Sequence, residues 1–155
     1  MSPYGNANSA REHLEFVAVA LGEQQFAIDI MSVREIRGWT TSTPLPKSPD
    51  FVRGMINLRG VILPVLDLRA RLGLGTSEVG ASSVVVVVQV AGREAGLLVD
   101  AVCDILQVDE AAIQPTPDVG APEAREFVRG LVTTSDGICS LLRLDSLVPP
   151  VAEAA

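Results

Sequence analysis

The chain carries an internal repeat. The sequence FVRGMI at residues 51–56 returns as FVRGLV at residues 127–132, an offset of 76 (51 to 127). The same offset relates three aliphatic residues downstream in each copy: Ile62, Val65 and Leu68 in the first, and Ile138, Leu141 and Leu144 in the second. A chain of 155 residues that uses one pattern twice is expected to build two small related units rather than one large one.

Each half has the pattern of short β-strands joined by polar turns that contain glycine. Apolar stretches at 16–21 and 26–30 flank a turn at 22–25, and stretches at 84–90 and 97–100 flank a turn at 91–94. Arg59-Gly60 and Asp136-Gly137 mark two further hairpins, because glycine accepts the positive φ of tight turns. Helix is predicted only at residues 50–54, 67–72 and 145–148. We therefore predict an all-β fold of two small barrels, each with about five strands, that share an aliphatic seam.

One domain is expected over residues 13–149, with flexible tails at 1–12 and 150–155. Its sub-barrels are placed at approximately 14–72 and 84–148, with or without exchange of strands, and are joined by a glycine- and serine-rich linker at 73–83. No apolar run approaches the roughly 20 residues of a membrane-spanning helix, and the first ten residues do not resemble a signal peptide. We predict a cytoplasmic protein without membrane insertion. Its net charge of -7 favours a monomer in solution.

The sequence offers no pattern typical of a catalytic or metal site. It has no GxxxxGK[ST] loop, GxSxG elbow or HExxH helix, and its single histidine, His13, has no evident partner. Asp100 and Asp104 could be nominated as an acid–base pair, but no neighbouring residue would separate their pKa values. Cys103 and Cys139 are predicted to be buried, inert thiols. We expect no enzymatic activity, no cofactor and no metal.

Positive charge is concentrated in residues 34–71. This segment holds seven basic and three acidic residues, a charge of +4, whereas the rest of the chain is -11. A basic segment in an acidic protein favours one acidic partner surface over nucleic acid, which binds domains that are basic overall. An ordinary solvated face is the alternative interpretation.

Within this segment, Arg59 stands at the tip of a predicted hairpin. A strand over residues 55–58 reaches the Arg59-Gly60 turn and returns over residues 61–68. An arginine held there would present a planar guanidinium to a carboxylate, either on a partner or on Glu35 of this chain. The alternative is that Arg59 only solvates the end of the hairpin.

Seven motifs, in order along the chain, resemble the CheW family of bacterial chemotaxis coupling proteins. They are FAIDI (26–30), VREIRG (33–38), LPKSP (45–49), FVRG (51–54), NLRG (57–60), PVLDLR (64–69) and GLLVDAV (96–102). The resemblance extends from about Leu14 to Val148 and implies two five-stranded SH3-like barrels. It also implies a non-catalytic adaptor that couples the cytoplasmic tips of methyl-accepting chemoreceptors to the regulatory domain of the histidine kinase CheA. Such an adaptor is recruited to membrane-associated receptor arrays.

The resemblance further implies functional positions. A receptor-binding surface falls on Val33, Glu35, Ile36, Gly54 and Arg59. Contacts with the kinase or the receptor are implied at Val102 and Ile105, although each could instead be a core residue. At 155 residues, the chain is expected to be the stand-alone adaptor. The alternative within the family is a paralogue that serves a non-flagellar pathway, with pili, development or a second messenger as its output.

Overall fold

The structure is a computed structural model that describes residues 13–75, 78–80, 82–117, 126–135 and 137–148. The predicted tails at 1–12 and 150–155, part of the predicted linker, and Asp136 lie outside these residues. The strands are β1 (His13–Leu21), β2 (Gln24–Asp29), β3 (Val33–Gly38), β4 (Val52–Leu58), β5 (Val61–Asp67), β6 (Val84–Val90), β7 (Arg93–Val99), β8 (Ala101–Asp109), β9 (Val128–Thr134) and β10 (Gly137–Leu142). They are accompanied by the short helices α1 (Leu68–Arg71) and α2 (Leu144–Leu147), and by 3₁₀ turns at Ile30–Ser32 and Glu110–Ala112.

The described strands form two five-stranded sheets with the same topology. The first sheet has the order β8-β1-β2-β10-β9, and the second has the order β3-β6-β7-β5-β4. In the first sheet, β2 of the β1–β2 hairpin pairs in parallel with β10 of the β9–β10 hairpin. In the second sheet, β7 of the β6–β7 hairpin pairs in parallel with β5 of the β4–β5 hairpin. Strands β1 and β2 from the N-terminal half complete the sheet that contains the C-terminal strands. The prediction of an all-β fold with two five-stranded barrels is confirmed.

Apolar side chains fill three clusters. One, around Phe16 and Leu141, is packed on the inner face of the first sheet. A second, around Leu63 and Leu98, is packed on the inner face of the second sheet. The third and largest lies between the sheets. Strand β6 contributes to two of them, because alternate valines point to opposite faces of a strand: Val85 and Val87 point inward, and Val86 and Val88 point to the cluster between the sheets. The predicted aliphatic seam is this third cluster.

One of the three predicted helices is wrong. Residues 52–54 belong to strand β4, where Val52 pairs with Leu66 of β5 and the chain is extended. Pairing along the sheet outweighs the local helix signal there, as tertiary contacts commonly do. The other two predictions are confirmed by α1 and α2, and Asp67 caps α1 by accepting a hydrogen bond from the Ala70 N–H (3.4 Å).

The two cysteines differ in exposure. Cys139 is buried inside the first sheet, and burial raises the pKa of its thiol to about 11, so it is protonated at neutral pH. Cys103 is exposed, so the prediction that both thiols are buried is wrong for Cys103. The reason is its position on β8, a strand at the edge of its sheet where most side chains between Cys103 and Gln107 are exposed.

Arg71, at the end of α1, connects the two halves. Its guanidinium lies over the ring of Phe51, 4.2 Å from the centroid, and 4.8 Å from the centroid of the repeat-related Phe127. Its Nε donates to the Leu147 carbonyl (3.1 Å) and its Nη2 to the Ser146 carbonyl (3.0 Å). Burial lowers the pKa of Arg71, but a guanidinium stays charged at neutral pH. One side chain from the first half is therefore held by both copies of the repeated phenylalanine and by α2.

Candidate protein-interaction site

The β4–β5 hairpin presents Arg59 at its tip. Leu58 pairs with Val61, which leaves Arg59 and Gly60 as a two-residue turn with φ values of 52° and 88°. Positive φ at both central residues is typical of the type I′ turn, whose twist matches that of the flanking strands. Leu58 is buried in the cluster inside the second sheet, so the hairpin rises from a packed base. The Arg59 side chain is 74% exposed.

Glu35 on β3 holds the Arg59 guanidinium. Arg59 Nη2 donates to Glu35 Oε1 at 2.7 Å, and Arg37 Nη1 donates to Glu35 Oε2 at 3.1 Å. Strands β3 and β4 lie at opposite ends of the second sheet, so this ion pair links the two ends of the sheet. Of the alternatives that the sequence left open for Arg59, the structure shows the pairing with Glu35. Two arginines share the Glu35 carboxylate, and Glu94 on β7 adds a further negative charge near Arg59.

The ion pair should be visible in the titration of Glu35. The hydrogen bond from Arg59 holds the pKa of the Glu35 carboxyl below its ordinary value of 4.5, with Arg37 adding to the effect. Because the folded-state pKa is lowered, the pair stabilises the fold above the ordinary pKa, and this contribution is lost as pH falls through the folded value. We expect a carboxyl ¹³C NMR titration to give a midpoint below 4.5 for the wild type and a higher one for Arg59→Ala. Equal midpoints would show that the pair does not persist in solution.

The predicted receptor-binding residues do not all share one surface. Glu35 and Arg37 point to one side of β3, whereas Ile36 points to the other and is 46% exposed. Val33 is half-buried and packs against the cluster between the sheets. The structure therefore brings Glu35 and Arg59 together but places Ile36 on the opposite face of its strand.

Gly54 has a backbone role that explains why glycine stands there. It is buried in β4 with φ 151°, and a Cβ at this position would lie 2.5 Å from the Thr43 carbonyl oxygen. Thr43 and Met55 exchange two backbone hydrogen bonds of 2.8 and 2.7 Å, which hold the loop before β4 against that strand. Gly54 thus lets the loop cross β4 at close range. It offers no exposed surface of its own.

Val102 and Ile105 lie in the other sheet, on β8. Val102 is half-buried and packs against the cluster between the sheets, which favours the core interpretation. Ile105 is 55% exposed and does not belong to any of the three clusters. Neither residue lies on an element that carries Glu35 or Arg59.

Sequence reasoning missed three residues of the hairpin site. Arg37 shares the Glu35 carboxylate, and Val61 and Ile62, directly after the turn, are 50% and 65% exposed. The signal for Arg37 was its spacing of two from Glu35, which places both on one face of a strand. Val61 and Ile62 could not be separated from the buried Leu63 and Val65 by pattern alone, because all four are apolar.

The described chain shows no sign of a metal site or a membrane span. No group of three or more His, Cys, Asp or Glu among the described residues is placed to hold a metal ion. No helix in the described ranges is long and apolar enough to cross a bilayer. What the site offers is a rigid, exposed guanidinium with apolar side chains beside it, a combination suited to binding another protein.

Comparisons with known proteins agree with this description. The family profile of the CheW-like domain matches residues 15–150. The chain is 47% identical over 146 residues to the chemotaxis protein CheW of Rhizobium meliloti (strain 1021), covering 91% of this chain and 94% of that protein. It is 34% identical over 134 residues to the chemotaxis protein CheW of Klebsiella aerogenes, covering 86% and 81%.

A solved structure is similar as well. The crystal structure of the scaffolding protein TtCheW from Thermoanaerobacter tengcongensis matches with a TM-score of 0.80 and 35% identity, covering 89% of each chain. The family profile, the two relatives and the similar solved structure all indicate the same family. The chain belongs to the CheW family of chemotaxis proteins.

Proposed function

We propose that this protein is a non-catalytic adaptor that couples the cytoplasmic tips of chemoreceptors to the regulatory domain of the histidine kinase CheA. It acts in the cytoplasm as a monomer that is recruited to membrane-associated receptor arrays. Membership of the CheW family supports the adaptor role, and the scaffold name of the similar solved structure agrees with it. The observation that carries the proposal is the exposed Arg59 guanidinium, held by Glu35 at the tip of a packed hairpin.

The geometry suits a receptor tip that carries acidic and apolar side chains. Glu35 engages Arg59 through Nη2, and the largely exposed guanidinium has further N–H donors for a partner carboxylate. Val61 and Ile62 directly after the turn are both exposed, and because successive side chains of a strand point to opposite faces, each offers apolar surface on a different side of the hairpin. Because Arg59 is already held in place, little side-chain entropy is lost when the partner binds.

The test is a calorimetric titration of the full chain against a receptor tip fragment and, separately, against the CheA regulatory domain. Arg59→Ala is expected to weaken receptor binding by about 5- to 30-fold, the range of a residue worth about 1 to 2 kcal/mol at an interface. Thermal unfolding should stay close to that of the wild type, because the side chain is largely exposed and an exposed ion pair contributes little to stability.

Arg34→Ala is the matched control. Arg34 carries the same charge, is exposed, and stands next to Glu35 on β3, where it donates to Gln89 rather than to the ion pair. The Arg34→Ala variant should bind the receptor fragment like the wild type. If Arg59→Ala and Glu35→Ala both bind the fragment and activate the kinase normally, the site is assigned wrongly. If the wild type binds neither partner, the coupling function itself is wrong.

A further inference from the structure

The Arg59-Gly60 turn is held by a side chain that the site described above does not include. The Gly60 N–H donates to Asn57 Oδ1 at 2.9 Å. Asn57 is exposed and stands near the end of β4, paired with Ile62. Asparagine is disfavoured in strands, and at this exposed position burial does not explain it. The hydrogen bond that its side chain accepts from the turn explains why asparagine stands there.

This hydrogen bond fixes the backbone around Arg59. The Leu58–Val61 pair holds the chain before the turn, and the bond from Gly60 to Asn57 fixes the peptide between Arg59 and Gly60. With both peptide planes set, the direction of the Arg59 Cα–Cβ bond is set as well. This matters because Arg59 has φ 52°, a conformation that non-glycine residues adopt only when their surroundings impose it.

A second hairpin of the same sheet provides an internal comparison. The β6–β7 turn, Ala91-Gly92, has φ values of 52° and 80°, close to those of Arg59-Gly60. Gln89 occupies the position that corresponds to Asn57, and its Oε1 accepts from Arg34 Nη2 on β3 instead. That turn carries an alanine, whose methyl group needs no directing, and it reaches these φ values without an asparagine. The hydrogen bond from Gly60 to Asn57 is therefore not needed to form the turn, and what it adds is a restraint on the turn that carries the long, charged Arg59 side chain.

We propose that Asn57 is a positioning residue: by holding the Arg59-Gly60 turn it keeps the Arg59 guanidinium against Glu35 and directed toward a partner carboxylate. This inference rests on the proposed function insofar as Arg59 is taken to be the partner-binding group. Asn57 itself acts through the turn and need not touch the partner.

The experiment measures the position of Arg59 first, without any partner. In the full chain, Asn57→Ala is expected to lower the ¹H–¹⁵N heteronuclear NOE of Arg59 Nε–H at pH 7 and to raise the Glu35 titration midpoint toward that of Arg59→Ala. Asn57→Asp keeps an acceptor oxygen and should retain the wild-type NOE. The Glu35 titration midpoint is not compared for Asn57→Asp, because a new carboxylate would by itself raise the pKa of Glu35.

Binding is then measured against the receptor tip fragment. Asn57→Ala should weaken binding by about two- to tenfold, the equivalent of one lost hydrogen bond, and Asn57→Asp should recover most of it. An unchanged NOE and an unchanged Glu35 midpoint in Asn57→Ala would overturn the inference. The inference would also fail if Asn57→Ala lowers the NOE of Arg59 but binds the receptor tip fragment like the wild type, while Arg59→Ala binds it weakly. If Asn57→Ala loosens Arg59 but even Arg59→Ala binds normally, the positioning of Arg59 by Asn57 stands and the proposed function of Arg59 fails.

Discussion

Replacing Gly54 by alanine is expected to destabilise the protein by about 3 to 5 kcal/mol, the combined effect of a strained φ and a steric clash. The new Cβ would lie 2.5 Å from the Thr43 carbonyl oxygen and 2.9 Å from its carbonyl carbon. These are backbone atoms, so no side-chain rotation can relieve the contact. The φ of 151° adds strain for any residue other than glycine. The loop before β4 would have to leave the strand, which breaks the two Thr43–Met55 hydrogen bonds.

Two other glycines separate the causes of this effect. Gly60 has φ 88° but nothing within 4 Å of an added Cβ, so Gly60→Ala should show the conformational strain alone, about 1 kcal/mol. Gly130, the repeat equivalent of Gly54, has no strained φ, but its Cβ would meet Ile113 Cγ2 at 2.6 Å and the Gln114 carbonyl oxygen at 2.9 Å. Gly130→Ala should fall between the other two. Urea unfolding of the three variants measures the series, and a Gly54→Ala variant no less stable than Gly60→Ala would refute the close-approach explanation.

The repeat gives this result a wider meaning. In both halves the glycine of the Val-Arg-Gly motif lies under a crossing segment that forms an isolated bridge to the next residue, Thr43 to Met55 in one and Gln114 to Leu131 in the other. The motif therefore appears twice because the same crossing is built twice. A loss of receptor coupling in Gly54→Ala would follow from displacement of the loop rather than from a lost contact with the receptor.

The sequence was sufficient to predict the hairpins and most of the strands, because their signals are local. Alternating apolar residues mark strands, and glycine in a two-residue turn marks the hairpin at Arg59. The pairing of Arg59 with Glu35 was one of the alternatives that the sequence left open, because an arginine at a hairpin tip can also meet a partner carboxylate or only solvate the turn. The structure shows that the pair joins β3, at one edge of the second sheet, to the turn that follows β4, at the other edge.

Other features depend on which strands become neighbours, and local pattern does not encode that. Cys103 is exposed because β8 is an edge strand, and Ile36 points away from Glu35 because side chains alternate along β3. The net charge of residues 34–71 also overstated how much positive charge is free to meet a partner. Most of its arginines are engaged within the chain: Arg34 with Gln89, Arg37 with Glu35, Arg53 with Asp67, Arg69 with Asp100, and Arg71 with carbonyls of α2. Arg59 is also paired, with Glu35, but 74% of its side chain is exposed, against 36% for Arg37, 28% for Arg53 and 24% for Arg69.

Replacing Arg71 by alanine is expected to be the second strongly destabilising change, by about 2 to 4 kcal/mol. The substitution removes two hydrogen bonds from a charged donor and leaves the Ser146 and Leu147 carbonyls without them. It also removes the cation that lies between Phe51 and Phe127. These contacts tie α1 in the first half to α2 and the repeated phenylalanine in the second, so their loss weakens the junction between the halves rather than either sheet alone.

Thermal unfolding followed by circular dichroism measures the effect, with an expected fall in Tm of about 5 to 15 °C for Arg71→Ala. Arg71→Lys keeps the charge but lacks the planar, forked donor that reaches two carbonyls and stacks on two rings, so it should restore only part of the loss. Arg34→Ala removes an exposed arginine with one side-chain partner and should change stability by no more than about 0.5 kcal/mol. Full recovery by lysine would mean that charge alone holds the junction. A Tm of Arg71→Ala within about 2 °C of the wild type would mean that the cluster between the sheets holds the halves together without it.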